Sequence, residues 1–448
     1  MRFFLPPLEI GDTEGFTKSK DIFERASLGE GLTNVLTTVS EPLVIALDGQ
    51  WGSGKTTFLK MWAGELRKEH FPVVYLDAFR HDYSDDAFTA VASEIIALAN
   101  SHRKVSTKAF VDKAVGVGKV ILRSGLKIGV KVGTLGVLDG ADIETAASDI
   151  AKEASDITDK YVGDLLTKQK QQKDVIDEFQ KALTQLPSLL TPNDSSGSSI
   201  KPLVIIVDEL DRCRPVFALE LLERIKHFFS VPNVHFVLGA HLGQLNNSVK
   251  VAYGSEIDAN LYLQKFIHLT LHLVDANKQF DKWATTRFLK YIQTQLELGA
   301  DQQLNYMVEF VVHVAQSHNL SFRTLERIMS TVAMTFAFNN GRGLPTELLA
   351  GLSVLKTTHP DLYIKAKLGT LTVDEIRVPL AFHIRPDESN KAIIEEGQTL
   401  WMYGLNAQNA PGEMAEKFAE YRRSFRTDGP KLVSAITGAI DRLILLPK

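Results

Sequence analysis

Cysteine is almost absent: the 448 residues contain one, Cys213. A single thiol closes no internal disulfide and builds no Cys-rich zinc site, and such scarcity fits a reducing cytosol. No run of about 18 uncharged apolar residues occurs, which argues against an ordinary membrane-spanning helix. Neither sign of charge is in excess, since 50 Lys and Arg stand against 54 Asp and Glu, a formal net charge of −4. No global basic field draws the chain onto nucleic acid or anionic lipid, which leaves only local patches for such contacts. The opening MRFFLPPLEIGDTEG has a short apolar piece followed by acids and lacks the apolar region of a secretory signal. The expectation is a cytoplasmic protein.

What is present is ordinary core material. Hydrophobic residues make up 44% and charged ones 23%, close to soluble globular averages, so general disorder is excluded. At about 100–200 residues per domain, the length suggests roughly two to four domains.

Along the chain, LVIALD (43–48) predicts a short buried strand, followed by glycines and then the helical pattern TTFLKMWAGELRKEH. PVVYLD (72–77) predicts a second strand and DAFTAVASEIIALA (86–99) a helix. Strand, helix, strand, helix is the pattern of an α/β fold with a parallel sheet. Residues 103–186 are polar and helical with a glycine-rich middle, and PSLLTPNDSSGSSIKP (187–202) is a loop by composition. Strands return at LVIIVDEL (203–210) and VHFVLGA (234–240), flanking a helix at ALELLERIKHFF (218–229). Beyond about 275 the apolar spacing is helical, and the next run resembling a strand lies near residue 380. The organisation expected is a sheet core in two pieces (1–102 and 201–275), a helical insertion and linker (103–200) and an α-helical lid or C-terminal domain (276–448).

Gly49-Gln-Trp-Gly-Ser-Gly54-Lys55-Thr56 matches the spacing G-x-x-x-x-G-K-[ST] of a phosphate-binding loop. Glycines let successive backbone N–H groups turn inward around phosphate oxygens, and the following helix points its positive end at the same anion. In that reading Gly49, Gln50, Trp51, Gly52, Ser53, Gly54, Lys55, Thr56 and Thr57 form the nucleotide cradle. Lys55 reaches the β- and γ-phosphates, and the Thr56 hydroxyl ligates Mg²⁺. LVIIVDELDR (203–212) is an apolar strand ending in acids, the pattern of a Walker B strand. Asp208 is the expected holder of the Mg²⁺ shell and Glu209 the base that polarises the attacking water. The plain alternative for that strand is a solvated acidic turn. The two motifs lie further apart than a minimal core needs, and the helical segment accounts for the excess.

The sequence around these motifs resembles the KAP family of P-loop NTPases. The resemblance is carried by DIFERASLGEGLTNVL (21–36), DGQWGSGKTTFL (48–59) with Trp51 inside the loop, and VYLDAFRHDYSDDAF (74–88) with Phe79 in place of the usual tryptophan. It continues through VDELDRCRP (207–215), ALELLERIKHFF (218–229), VHFVLGAHLGQLNNSV and YLQKFI (262–267), with a weaker stretch at SFRTLERIM (321–329). The resemblance implies an ATP-driven switch on a P-loop core with an additional strand. It also implies membrane linkage through helices inserted between the two motifs in many members, and exclusion of phage in some bacterial ones. His241 stands where the family usually has an acid; a polar group at that strand end could sense the γ-phosphate, the alternative being a plain surface or core histidine.

Within the insertion, Lys119, Arg123, Lys127 and Lys131 recur every four residues, as do Gly125, Gly129 and Gly133 on another face. Segment 112–140 is open to three readings: packing on the core or another subunit, peripheral contact with the inner face of a membrane, or nucleic-acid contact. Cations able to stabilise charge at the γ-phosphate are Arg212, Arg214, Arg323 and Arg327. Of these Arg323 is favoured, as the sensor arginine of a lid acting in cis. Arg422, Arg423 and Arg426, with Tyr421 and Phe425 between them, form a basic cluster suited either to a solvated helix face or to nucleic acid. Cys213 is read as structural.

The function expected is an Mg²⁺-dependent ATPase in which Lys55, Glu209 and Arg323 act on ATP and nucleotide state sets conformation and assembly. The expected partners are ATP and a second copy or partner protein. The rival is a membrane-associated ATP-binding scaffold with little turnover.

Overall fold

A computed structural model of the chain describes residues 2–6, 8–83, 86–101, 108–124, 173–191, 200–273, 282–299, 302–339, 345–406 and 414–442. α1 (Ala26–Thr38) leads into β1 (Leu43–Asp48). α2 (Lys55–Lys68), β2 (Val73–Asp77), the one-turn α3 (Ala78–His81), α4 (Ala87–Ser101), α5 (Lys108–Ser124) and α6 (173–190) come before β3 (Leu203–Asp208). A 3₁₀ turn (Leu210–Arg212), α7 (Pro215–Phe228), β4 (Val234–Ala240), α8 (Leu242–Tyr253), α9 (Ala259–Leu263) and β5 (Leu269–His272) complete this body.

The strands form one parallel sheet in the order β2-β3-β4-β1-β5. Parallel strands are covered on both faces, which is why β3 and β4 are continuous apolar runs buried at every position. Alternate residues go to opposite layers. Ile45, Leu47, Val204, Ile206 and Val237 pack with Leu32 and Leu36 of α1 and Phe58 and Trp62 of α2. Val44, Ala46, Ile205, Val207, Phe236 and Leu238 face α4 to α8. β5, the strand not expected from the sequence, is short and largely exposed.

The helices that bound the insertion are built into this core. Phe110 of α5 and Phe179 of α6 meet at 5.5 Å, and Phe179 lies 5.5 Å from Phe88 and 5.7 Å from Phe229. Burying a phenylalanine this completely contributes about 1.5–3 kcal/mol. The apolar face of α5 (Phe110, Ala114, Val117) therefore packs inward. Lys127, Lys131, Gly125, Gly129 and Gly133, and with them most of segment 112–140, lie outside the described residues. No described helix is long and apolar enough to cross a membrane.

A second, all-helical body follows: α10 (Lys282–Gln295), α11 (Gln302–His318), α12 (Phe322–Phe338), α13 (Thr346–Thr358), α14 (Pro360–Leu368), α15 (Val373–Arg377), α16 (Lys391–Gly404), α17 (Met414–Phe425) and α18 (Gly429–Arg442). Its core gathers Phe310, Leu325, Met329, Leu352, Trp401 and Ile436 around α13. The strand-like run near 380 is a turn, with Ala381 at φ 58°. Leu380 and Ala381 are apolar because they are buried among helices. Pro379 has no N–H for a ladder, and the Val378 and Ala381 carbonyls lie 3.0 Å and 3.2 Å from ring nitrogens of His318 and His313.

Candidate functional site

β1 ends at Asp48, and the chain turns through the glycine loop into α2. Gly52 (φ 80°) and Gly54 (φ 87°) adopt the left-handed conformation, which costs other residues energy. Gly54 is the N-cap of α2 and gives it no side-chain hydrogen bond. The first-turn N–H groups are thus left for an anion. Lys55 is buried; its ammonium donates to the Gly49 carbonyl and, at 3.2 Å, to that of Gln50. Burial pulls its pKa down, against the opposing pull of Asp211, Asp208 and Asp48. The Ser53 hydroxyl is buried without a hydrogen-bond partner among the described residues.

The acidic side comes from β3. Register sets Asp208 beside Asp77 of β2 at the carboxyl end of the sheet. Asp208 accepts hydrogen bonds from the Tyr75 hydroxyl at 2.7 Å and the Glu209 N–H at 2.9 Å. Glu209 takes φ 59°, turning the chain sharply, and its carboxylate pairs with Arg212 at 2.7 Å. Burial pushes the Glu209 pKa up; Arg212 opposes, while Asp208, Asp77 and Asp211 reinforce the rise. The Tyr75 hydroxyl is likewise pushed up by burial and by Asp208. The Trp51 indole N–H donates to Asp211 and ties the glycine loop to this strand end.

The third side joins the two bodies. A Cβ on Gly52 would lie 2.9 Å from the Cβ of Arg323, so the loop backbone rests on the start of α12. That helix is capped by Ser321, which accepts from the Thr324 N–H. Arg25 donates to the Ser53 carbonyl at 3.2 Å, and its guanidinium lies over Phe23 at 4.7 Å. Asp21 holds this turn by accepting from the N–H groups of Arg25 (2.9 Å) and Ala26 (3.0 Å). Burial pulls Arg25 down to about 10. Phe322 stacks on Phe23 at 4.6 Å and meets Phe288 at 4.7 Å.

These sides enclose a cavity of about 410 Å³. Trp51, Gly52, Ser53, Gly54, Lys55, Thr56, Thr57, Asp208, Glu209 and Arg323 all line it. Gly49 and Gln50 contribute the carbonyls that hold Lys55. Of the other arginines, Arg212 lines the cavity, whereas Arg214 is held by Asp82, with its Nε 3.0 Å from the carboxylate. His241 follows β4 at the N-cap position of α8, with its ring 6.1 Å from that of Trp51. Cys213 is buried and its thiol pushed up by burial, which fits a structural role. In the C-terminal cluster, Tyr421 and Phe425 pack against the helical core, so these aromatics face inward. The sequence reading missed Arg25, Phe23, Tyr75, Phe288, Tyr291 and Glu326. The blocks at 21–36 and 321–329 held the signal for several of these without revealing that they meet.

The donor set fits magnesium. The Thr56 hydroxyl and the Asp208 carboxylate are hard oxygens lining the same cavity as the uncapped helix start. Gly239 leaves space beside the carboxylate, since a Cβ there would lie 2.7 Å from Asp208 Oδ1. Among the described residues no group of three or more His, Cys, Asp or Glu side chains is arranged to hold a metal. Magnesium keeps several waters and takes only one or two carboxylates.

The model of the KAP family P-loop domain matches residues 25–339, more than half of the chain. An uncharacterized protein of Methanocaldococcus jannaschii is 27% identical over 174 residues, which span 37% of this chain and 89% of that protein. Among solved structures, the Aeropyrum pernix ORC2 protein in ADPNP-ADP complexes overlaps at a TM-score of 0.38 and 13% identity, covering 97% of each chain. Replication initiator DnaA bound to AMPPCP and single-stranded DNA overlaps at 0.28 and 11%, covering 98% of this chain and 100% of that one. Both overlaps are too distant to transfer any property.

Proposed function

This chain belongs to the KAP family of P-loop domains, and we propose on that premise that it binds ATP with Mg²⁺ in the cavity between the glycine loop and α12, and hydrolyses it slowly. The observation that carries the reading is the convergence of an uncapped helix start, two acids and an arginine from the helical body on one cavity. The backbone N–H groups of the loop and Lys55 grip the phosphates. Lys55 exchanges its two carbonyl partners for phosphate oxygens, a charge-assisted contact. Thr56 and Asp208 hold the magnesium ion, and Tyr75 fixes the carboxylate that does so. The bound ion neutralises charge on the phosphate oxygens. Glu209 accepts a proton from the attacking water once Arg212 releases it. Arg323 lends positive charge at the γ-phosphate from the helical body.

Because Arg323 sits on α12 and Gly52 rests against it, nucleotide state sets the attitude of one body to the other. In this reading the protein is a nucleotide-dependent switch of conformation and assembly, with phage defence as the role the family resemblance suggests. The Arg212–Glu209 pair favours a second reading, an ATP-binding scaffold with little turnover, since it occupies the base. Glu209→Gln is expected to keep ATP affinity and lose turnover by about 10²–10⁴-fold, measured by calorimetry and phosphate release. Equal hydrolysis by both proteins removes Glu209 as the base. Wild type that binds ATP without detectable hydrolysis selects the scaffold.

A further inference from the structure

The cavity has two chemically different ends. At one, the glycine loop, Lys55 and Arg212 present positive charge and backbone N–H groups. At the other, Phe23, Phe288 and Phe322 make an apolar wall, with ring centroids 4.6 to 6.1 Å apart. α12 serves both, with Phe322 in the apolar wall and Arg323 against the glycine loop. Its start touches Gly52 through Arg323. Glu326, three residues on, lies about 4.5 Å further along the helix at 1.5 Å per residue. Phe322, four residues earlier, and Arg323 share its face.

Five carboxylates line this cavity: Asp21, Asp208, Glu209, Asp211 and Glu326. Four are committed. Asp21 accepts from two backbone N–H groups, Asp208 from Tyr75 and Glu209, Glu209 pairs with Arg212, and Asp211 accepts from Trp51. Glu326 alone has neither a hydrogen bond nor an ion pair among the described residues, though it is half-buried. Burial pushes its pKa up, against the weaker pull of Arg323 and Arg327. Its oxygens are left to water, and a ligand donor that replaces that water inside the cavity makes a charge-assisted hydrogen bond. A carboxylate repels phosphate, so the ligand group it takes is an uncharged donor.

We propose that Glu326 is a specificity-determining residue for the nucleoside half of the ligand, accepting a hydrogen bond from a ribose hydroxyl or a base amino group. This rests on the reading of the cavity as a nucleoside triphosphate site, and it deepens that reading. Cations and N–H groups at the loop draw the phosphates, the phenylalanines cover the base, and Glu326 takes an O–H or N–H that inorganic polyphosphate does not have. The ligand therefore enters in one orientation.

The test is equilibrium binding of ATP, 2′-deoxy-ATP, 3′-deoxy-ATP, inosine triphosphate and tripolyphosphate, with magnesium, to wild type, Glu326→Ala and Glu326→Gln. Glu326→Ala is expected to lose about tenfold or more in ATP affinity, with tripolyphosphate affinity unchanged. Glu326→Gln, which keeps the shape and one acceptor, is expected to fall between. The analogue lacking the partner group binds wild type and Glu326→Ala equally, and so tells a ribose hydroxyl (the deoxy arms) from the base amino group (the inosine arm). Equal ATP affinity in wild type and Glu326→Ala overturns the inference, as does a loss that is the same for every ligand including tripolyphosphate. Wild type that binds neither ATP nor tripolyphosphate overturns the nucleotide reading itself.

Discussion

The starts of α2 and α12 line one cavity and are built in opposite ways. α2 begins at a glycine that offers no side-chain cap. α12 begins at Ser321, whose hydroxyl accepts from the Thr324 N–H. A helix start has backbone N–H groups that need partners, and a side-chain cap satisfies one of them from within. The first helix leaves them open, and in the proposed reading it binds its guest through backbone. The second has one of them satisfied by its cap and, in the same reading, contributes side chains, namely Phe322, Arg323 and Glu326. Binding through backbone is fixed by fold and is legible from spacing; binding through side chains from a distant helix is not.

The sharpest way to break the comparison is Lys55→Ala. It removes the ammonium beside the uncapped start, and nucleotide affinity is expected to fall by about 100-fold or more, read by calorimetry. Retained affinity would mean that the backbone alone holds the phosphates.

Next comes Gly52→Ala, at the point where the two starts touch. The residue has φ 80° and its new Cβ meets Arg323 at 2.9 Å. A loss of about 1–3 kcal/mol in stability is expected from strain and overpacking together, with weakened nucleotide binding. Gly369→Ala is the control: φ is 70° but the space is open, so only backbone strain remains. Equal loss of melting temperature in the two variants would show that the contact between loop and α12 carries no cost.

The smallest effect is expected from Ser321→Ala. Removing this cap costs about 1 kcal/mol, seen by thermal melting, and leaves phosphate affinity near wild type because α2 is untouched. A large loss of affinity would mean that the capped start also serves the ligand through its backbone.

The parts legible in the sequence are those set by local identity at fixed spacing. LVIALD, the glycines, Lys55 and LVIIVDEL declare a buried parallel strand, a phosphate loop and an acidic strand end. Other parts depend on tertiary register. The Tyr75–Asp208 bond joins residues 133 apart in sequence, and only the alignment of β2 with β3 brings them together. β5 escaped notice because LTLH is short and mostly exposed, so it lacks the continuous apolar run that marked the inner strands. The run near 380 misled for the converse reason: burial among helices demands the same apolar residues as burial in a sheet. Arg323 was visible as a candidate, while Glu326 three positions later was not. A lone glutamate on a helix carries no signal until its neighbours in space are known.

The glycine loop also carries its own optical gauge. The Trp51 ring is 44% exposed at the cavity, with its indole N–H on Asp211 and its edge toward His241. Trp62 and Trp401 are sealed in their cores, while Trp283, as exposed as Trp51, lies beneath Arg287 and is not among the residues that line the cavity. An indole at a wet rim responds in colour and intensity to a charged guest, whereas sealed ones give a constant background. The arrival of a triphosphate is therefore readable in the protein's native emission, without a label.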